Sequence, residues 1–382
     1  MADIFTVPPE WNRLISAFKT DAVKNLYPWY QQNKRDLPWR NTKDPYIIWV
    51  SEIMLQQTRV DQALPFFQRF ISNFPTLNDV AKADQAHLLK TWEGLGYYKR
   101  VLNMKKAAQL IMEQYQGRFP KDYQQIADLP GIGKYTAAAV AAIAFDLPYA
   151  VVDGNVIRVI ARFFLVDSPV DKQPTKRQIQ WLADSILDRD HPELHNQAMM
   201  ELGACICMPT VADCDACILA EPCRSKNTLS YPERIQLPKK SPKKTTPHYE
   251  VAAGLIWNQG KLLIALRPEH KMLGGLWEFP GGKREPDESL ETCCVREIQE
   301  ELGLVVKVER PFIRVKHTYS HFKITMTVFH CTYVRGIPEE PGTPENRWVF
   351  PEELDSYPFP KASMKVIDAL LGRGENQNML FR

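Results

Sequence analysis

The stretch Leu129-Pro-Gly-Ile-Gly-Lys-Tyr-Thr-Ala137 constrains the fold of this chain more than any other. Gly131 and Gly133 allow a hairpin too tight for side chains, and the alanine-rich run 136–145 reads as a helix opening directly after it. Such a hairpin presents unpaired backbone N–H groups and the positive end of the helix dipole, a ready phosphate site, to which Lys134 adds a cation. Two glycines before a helix are also an ordinary helix–helix turn, so Gly-x-Gly alone leaves both readings open.

Around the hairpin, from Trp11 to about Leu219, the apolar pattern is helical, with proline and glycine punctuation. Asp44 as N-cap and Pro45 at the first helical position start a helix running to about Gln57. Further helices are expected at 60–70, 86–91, 100–115, 156–164, 175–187 and 192–205, so residues 1–224 form an all-α domain. Residues 225–247 carry Lys226, Arg234, Lys239, Lys240, Lys243 and Lys244 against the single acid Glu233, with Pro232, Pro238, Pro242 and Pro247 interspersed. That composition predicts an extended basic interdomain linker, a solvated tether whose charge can also follow a phosphate backbone. From residue 248 the period changes to two. The runs 251–257 and 262–266 flank Asn258-Gln-Gly260 as a hairpin, and Phe322, Ile324, Met326 and Val328 alternate with polar neighbours. With a helix at 289–302 between strands, residues 248–382 form an α+β domain.

At 382 residues there is room for two or three full cores, and a net charge of +3 makes nucleic-acid binding a matter of local patches. The N-terminus lacks the basic flank and apolar core of a signal peptide, and no run of about 18 apolar residues suggests a membrane span. The expectation is a soluble cytoplasmic protein without a membrane partner. Five of the eight cysteines fall between Cys205 and Cys223. Among them Cys207, Cys214, Cys217 and Cys223 have ligand spacing, which by itself does not separate zinc from iron–sulfur. Cys205, Cys293, Cys294 and Cys331 read as buried or idle thiols.

Two carboxylates stand in contrasting settings. Glu52 lies in Ile47-Ile-Trp-Val-Ser-Glu-Ile-Met-Leu55, where burial should raise its pKa and keep it protonated; a buried structural hydrogen bonder is the alternative, although a lone glutamate on an apolar helix is uncommon enough to suggest function. Asp153 precedes the stripe Val156, Val159, Ile160 and Phe163 and so sits at an N-cap, where the dipole favours the anion; a simple cap is the plainer reading there. Hydrolysis of an N-glycosidic bond needs one protonated acid and one ionised carboxylate.

The full string 129–137 resembles the helix-hairpin-helix of the endonuclease III superfamily of DNA glycosylases, where the hairpin grips one strand by its phosphates. Bifunctional members carry a nucleophilic lysine where this chain has Tyr135, so the resemblance implies a monofunctional enzyme without strand cleavage. The motifs Leu37-Pro-Trp-Arg40, Ser51-Glu-Ile-Met-Leu-Gln-Gln-Thr58, Gly94-Leu-Gly-Tyr-Tyr98, Val152-Asp-Gly-Asn-Val156 and Asn196-Gln-Ala-Met-Met-Glu-Leu-Gly203 look like the MutY family of adenine DNA glycosylases. That resemblance implies removal of adenine mispaired with 8-oxoguanine, or guanine, in duplex DNA, by a bacterial, nucleoid-associated monomer. Glu52 would protonate the base and handle the water, Asp153 would stabilise the cationic sugar, and Tyr135 and Asn155 would support them. Trp39, Arg40 and Gln197 would line the pocket for the flipped adenine; Gln57 and Tyr97 would wedge into the duplex, with Thr58 near the 8-oxoguanine. The cysteine spacing resembles the superfamily's four-iron four-sulfur loop, which implies that cluster on Cys207, Cys214, Cys217 and Cys223.

In the second domain Gly282-x5-Glu288-x7-Arg296-Glu297-Ile-Gln-Glu300-Glu301-Leu-Gly303 matches the Nudix box, and on a helix Glu297, Glu300 and Glu301 are neighbours able to hold Mg²⁺. This resembles MutT-type hydrolases of 8-oxo-dGTP, which makes a fused nucleotide hydrolase the alternative, with Mg²⁺ as cofactor only if the box is active. Against it, the loop Tyr319, Ser320, His321 resembles the segment with which the second domain of the MutY family probes 8-oxoguanine. The favoured expectation is a helix-hairpin-helix glycosylase domain with an iron–sulfur loop, followed by a Nudix-like lesion reader.

Overall fold

The computed structural model describes residues 8–242, 245–319, 321–336 and 345–373. The helical half runs through α1 (Pro9–Asp21), a π-helical turn (Ala22–Leu26), α2 (Tyr27–Asn33), a 3-10 turn (Pro38–Arg40), α3 (Pro45–Leu55), α4 (Val60–Asn73) and α5 (Leu77–Lys82). It continues with α6 (Gln85–Trp92), α7 (Lys99–Gln114), α8 (Tyr123–Ala127), α9 (Lys134–Phe145), α10 (Gly154–Phe163), α11 (Gln173–Ile186) and α12 (Pro192–Cys205). Asp44 caps α3 by accepting from the Tyr46 N–H at 2.9 Å, as its sequence position demands. The helix after the glycine hairpin begins at Lys134, two residues earlier than the alanine run suggests, because Gly133 serves as its N-cap. Gly131 takes φ +77, a conformation that only glycine adopts cheaply, whereas Gly133 has an ordinary φ and open space where a Cβ would stand.

The chain divides into two compact units. One comprises Met1–Ala63, Thr76–Ala81 and Lys106–Lys243; the other comprises Leu64–Pro75, Lys82–Lys105 and Lys244–Arg382. The core of the first gathers Phe18, Leu26, Phe163, Phe164, Leu182 and Leu202. His195 of α12 is buried against it with Nδ1 3.0 Å from the Tyr27 hydroxyl, and burial lowers its pKa to about 4, so it is a neutral packing residue.

The extended linker expected over 225–247 is not what its first half forms. Residues here build α13 (Arg224–Thr228) and α14 (Tyr231–Ile235), the latter opened by a Ser230–Glu233 capping box. Arg234, counted from sequence as a solvated charge, turns inward and donates to the carbonyls of Ser225, Lys226 and Leu229. Arg162 of α10 in turn donates to the Leu237 carbonyl at 3.0 Å, and the Val170 N–H donates to the Lys239 carbonyl at 2.9 Å. The segment is therefore stitched to the first unit as far as Lys239 by buried arginines and backbone bonds, which composition does not reveal.

The second unit holds a seven-stranded sheet among the described residues, built from β1 (His248–Asn258), β2 (Lys261–Leu266), β3 (Trp277–Glu278), β4 (Gly281–Lys283), β5 (Val305–Thr318), β6 (Lys323–Arg335) and β7 (Asn346–Val349). The path is β3-β2-β1-β6-β5, with β4 on β1 and β7 on β2; β1 and β6 run parallel and the other pairs antiparallel. Gln259 and Gly260, both with positive φ, close the β1–β2 hairpin as expected from Asn258-Gln-Gly. Period-2 alternation along β1 sends Ala252 and Ile256 to the face packed by α15 (Leu290–Leu302), and Ala253 and Leu255 to the face packed by α16 (Lys361–Leu370). No helix of the described residues is long and apolar enough to cross a membrane.

Candidate active site

The hydrophobic run of α3 buries Glu52, which is 5% exposed, in a cleft of about 960 Å³ within the first unit. Trp39, Arg40, Gln57, Thr58, Tyr135, Asp153, Asn155 and Gln197 line the same cleft. Residues spread over more than 150 positions of sequence thus meet in one place. The Tyr135 hydroxyl, on the first turn of α9, donates to Glu52 Oε2 at 2.6 Å. Burial pushes the Glu52 carboxyl from 4.5 up to about 7 and the charge of Asp153 adds to the rise, while the Tyr135 hydroxyl and the Arg40 guanidinium pull it down. The tyrosine itself, buried beside a carboxyl, is held well above its ordinary pKa and stays a donor.

Asp153 caps α10: its Oδ1 accepts from the Val156 N–H at 2.7 Å and its Oδ2 from Asn155 Nδ2 at 2.7 Å. Here the structure departs from the expectation that the helix end alone makes Asp153 an anion. Burial raises its pKa above the ordinary aspartate value, against the pull of these donors and of Arg158. Asn155 is oriented by Arg158, whose Nη2 donates to Asn155 Oδ1 at 2.8 Å and to the Gly203 carbonyl at 2.7 Å. A Cβ at Gly203 would fall 2.6 Å from Asn155 Cβ, so α12 approaches Asn155 only because residue 203 is glycine. Two turns earlier on α12, Asn196 accepts from the Val151 N–H and donates to the Tyr149 carbonyl, both at 2.9 Å, fixing the chain's approach to Asp153. The amide of Gln197 is oriented at both ends, its Oε1 accepting from the Tyr30 hydroxyl at 2.9 Å and its Nε2 donating to Glu193 at 2.9 Å.

Arg158, Arg162, Tyr30 and Glu201 escaped the sequence reading. Nothing in the pattern signalled the two arginines: they stand on the polar face of α10, opposite the stripe Val156, Val159, Ile160 and Phe163, where a solvated charge is the ordinary expectation, yet both are buried. Arg158 Nε donates to the Cys207 carbonyl at 2.6 Å, and Arg162 donates to the carbonyls of Met208 and Pro209 at 2.7 and 3.0 Å. Cys207, Cys214, Cys217 and Cys223 line one cavity beside Arg162. Burial, with the neighbouring thiols, pushes Cys217 up to about 12. Among the described residues no three His, Cys, Asp or Glu side chains gather closely enough for a single metal ion; the four thiols surround a space rather than a point.

The hairpin residues Gly131, Gly133 and Lys134 are exposed at the opening of α9 and do not line the cleft. Tyr97 belongs to the second unit, exposed, with φ +53 and its ring 5.2 Å from the Arg100 guanidinium. At the tip between β5 and β6 the Tyr319 N–H donates to the Phe322 carbonyl at 2.8 Å, and His321 is exposed; Ser320 lies outside the described residues. In the Nudix box Arg296 pairs with Glu288, Glu297 and Glu300 at 2.6, 3.1 and 3.0 Å, and Lys271 with Glu301 at 3.3 Å. A Cβ at Gly282 would fall 2.1 Å from the Glu297 carboxyl, so any larger residue there would displace that side chain. Cys293, Cys294 and Cys331 are buried and Cys205 half-buried.

Residues 50–184 match the profile of the HhH-GPD superfamily base excision DNA repair protein, and residues 252–369 that of the NUDIX domain. The adenine DNA glycosylase of Homo sapiens is 30% identical over 403 residues, covering 91% of this chain and 74% of that protein. The adenine DNA glycosylase of Buchnera aphidicola subsp. Acyrthosiphon pisum (strain APS) is 32% identical over 295 residues, covering 77% of this chain and 81% of its own. Among solved structures, a thermostable thymine-DNA glycosylase aligns with TM-score 0.51 and 28% identity over 56% of this chain and 98% of its own.

Proposed function

This chain belongs to the adenine DNA glycosylases, and from that premise we propose that it removes adenine mispaired with 8-oxoguanine or guanine in duplex DNA by hydrolysis, leaving the strand uncut. The observation that carries the reading is the pair of carboxyls lining one cleft, Glu52 buried and bonded by Tyr135, Asp153 half-buried and bonded by Asn155. Glu52, protonated near neutral pH, gives its proton to N7 of the extruded adenine; the C1′–N9 bond breaks and its electron pair leaves with the base. Asp153, as the carboxylate, stabilises the positive charge growing on the sugar, with the Val156 N–H and the Asn155 amide holding its two oxygens. The Glu52 carboxylate then takes a proton from the water that attacks C1′. Tyr135 supplies no amine for a Schiff base, so the abasic strand survives.

Trp39, Arg40 and Gln197 hold the flipped base, and Gln57 and Tyr97 fill the duplex, with Thr58 beside the 8-oxoguanine. The hairpin of Gly131, Gly133 and Lys134 takes a DNA phosphate: among the described residues none apart from its chain neighbours comes within 4 Å of where a Cβ of Gly133 would stand, and the N–H groups opening α9 are there to receive an anion. Cys207, Cys214, Cys217 and Cys223 fit a four-iron four-sulfur cluster as a soft-donor set around one cavity, with Arg162 holding the loop carbonyls. When bound, the cluster supplies structural order to this loop. Tyr319, Ser320 and His321 read the 8-oxoguanine.

The test is incubation with an 8-oxoguanine:adenine duplex. Cleavage of the adenine strand only after alkali supports the reading, and nicking without alkali overturns it. The intact Nudix box favours a second activity, pyrophosphate release from 8-oxo-dGTP with Mg²⁺, which the same preparation tests. Alanine at both Ser320 and His321 is expected to reduce the preference for 8-oxoguanine over guanine, measured as a ratio of single-turnover rates; an unchanged ratio assigns the loop another job.

A further inference from the structure

Glu201 lies on α12 one turn beyond Gln197 and is wholly buried. Its carboxylate accepts four hydrogen bonds: from the Arg35 backbone N–H at 3.0 Å, Arg35 Nε at 2.9 Å, Arg35 Nη2 at 2.7 Å, and Arg40 Nη2. Arg40 also donates to the Arg35 carbonyl at 3.1 Å and lies 5.7 Å over the ring of Tyr30, the residue that orients Gln197. The guanidinium of Arg40 is thereby fixed on three sides, yet it lines the cleft that holds Glu52 and keeps donors to spare.

A cation at this wall has a cost for the chemistry. A positive charge near a carboxyl favours its ionised form, and Glu52 must carry a proton to act. Resting on the assignment of Glu52 as the acid, we propose that Glu201 is a positioning residue for base excision: it pins Arg40 against the pocket wall and offsets part of its charge, so that Arg40 can donate to the flipped base without unloading Glu52. Glu52 is faced by Tyr135 from α9, Asp153 at the start of α10 and Arg40 from the 3-10 turn. Glu201 is faced by Arg35, Arg40, Tyr30 from α2 and Cys205 on its own helix, with Asp61 acting on Arg35. Those surroundings hold Glu201 down at about 2, ionised throughout the working range.

The test is the single-turnover rate of adenine release against pH for the intact wild-type chain, Glu201→Gln, Glu201→Asp, Arg40→Leu and the double variant Glu201→Gln with Arg40→Leu. Glu201→Gln is expected to move the alkaline loss of activity down by about one pH unit, a drop of about tenfold in rate above that limb, and Glu201→Asp to keep the wild-type midpoint. In the Arg40→Leu background the same glutamine substitution is expected to move the midpoint by no more than about 0.3 unit, because the shift requires the arginine. The midpoint is read from the exponential rate constant and not from its amplitude, so a misfolded fraction that does not refold during the turnover lowers the amplitude and leaves the midpoint intact. If Glu201→Gln does not fold, a wild-type midpoint in Glu201→Asp supports the proposal and a displaced one overturns it. A folded Glu201→Gln whose midpoint is unchanged shows the residue to be a structural clamp alone and also overturns the proposal. A wild-type chain that releases no adenine sinks the site assignment first and this proposal with it, and is seen before any variant is measured.

Discussion

Glu52 is a destabilising residue that the fold tolerates for its chemistry. Its folded pKa of about 7 lies above the ordinary 4.5, so between those values the folded chain binds more protons than the unfolded one and stability falls as pH rises. The loss is absent below about pH 4.5 and complete just above pH 7, where it reaches roughly 3 kcal/mol. Glu52→Gln is therefore expected to abolish base release while sparing DNA binding, and to raise the denaturant midpoint at pH 7.5 but not at pH 4.5. Urea unfolding at the two pH values checks the sign: equal gains at both would mean that the carboxyl is not strained by burial. The same protonation makes wild-type base release decline above about pH 7, on the alkaline side of the rate profile.

Helices α10 and α12 bring the carboxyl support together, and their closeness depends on one missing methyl. With Asn155 Cβ only 2.6 Å from where a Gly203 side chain would begin, Gly203→Ala must push the helices apart or displace Asn155. We expect a loss of about 1–3 kcal/mol in stability and a fall in single-turnover base release larger than the lost folded fraction, since Asn155 orients Asp153. A variant that loses stability but keeps its rate per folded molecule would show that the Asn155 contact is packing only. On α10, Arg158 joins Asn155 to the Cys207 carbonyl while Arg162 holds the carbonyls of Met208 and Pro209, so disorder in the cysteine loop is transmitted to Asn155 through the Arg158 side chain.

At the scale of the molecule, the second compact unit is not the C-terminal stretch alone. Glu93 accepts from the Phe359 N–H at 2.8 Å, the Tyr98 hydroxyl donates to the Phe359 carbonyl at 3.2 Å, and Lys90 donates to the Tyr357 carbonyl at 3.2 Å. Residues 82–105 thus complete a body that residues 245–373 only begin. Expressed from residue 245 onward, the C-terminal stretch is expected to unfold at a lower urea midpoint than in the intact chain. The loss is about 3 kcal/mol or more, because Phe359 and its neighbours, buried in the intact chain, are uncovered when residues 82–105 are absent. Equal midpoints for the fragment and the intact chain, followed by a tryptophan signal of the second unit, would show those bonds to be dispensable.

The sequence alone determined what depends on local chemistry. It specified the Asp44 and Asp153 caps, the glycine hairpin, the switch from helical to alternating period near residue 248, the four-cysteine spacing and the absence of an amine at position 135. Those features are set by neighbours a turn or a strand away. Only the tertiary structure decided which charges are buried and by whom they are held. Arg162 and Arg234 bond loop carbonyls, Glu201 takes up two guanidiniums, burial outweighs the helix dipole at Asp153, and residues 82–105 pack with the C-terminal domain. Desolvation and pairing of charge depend on atoms distant in sequence, so no periodicity or composition along the chain encodes them legibly.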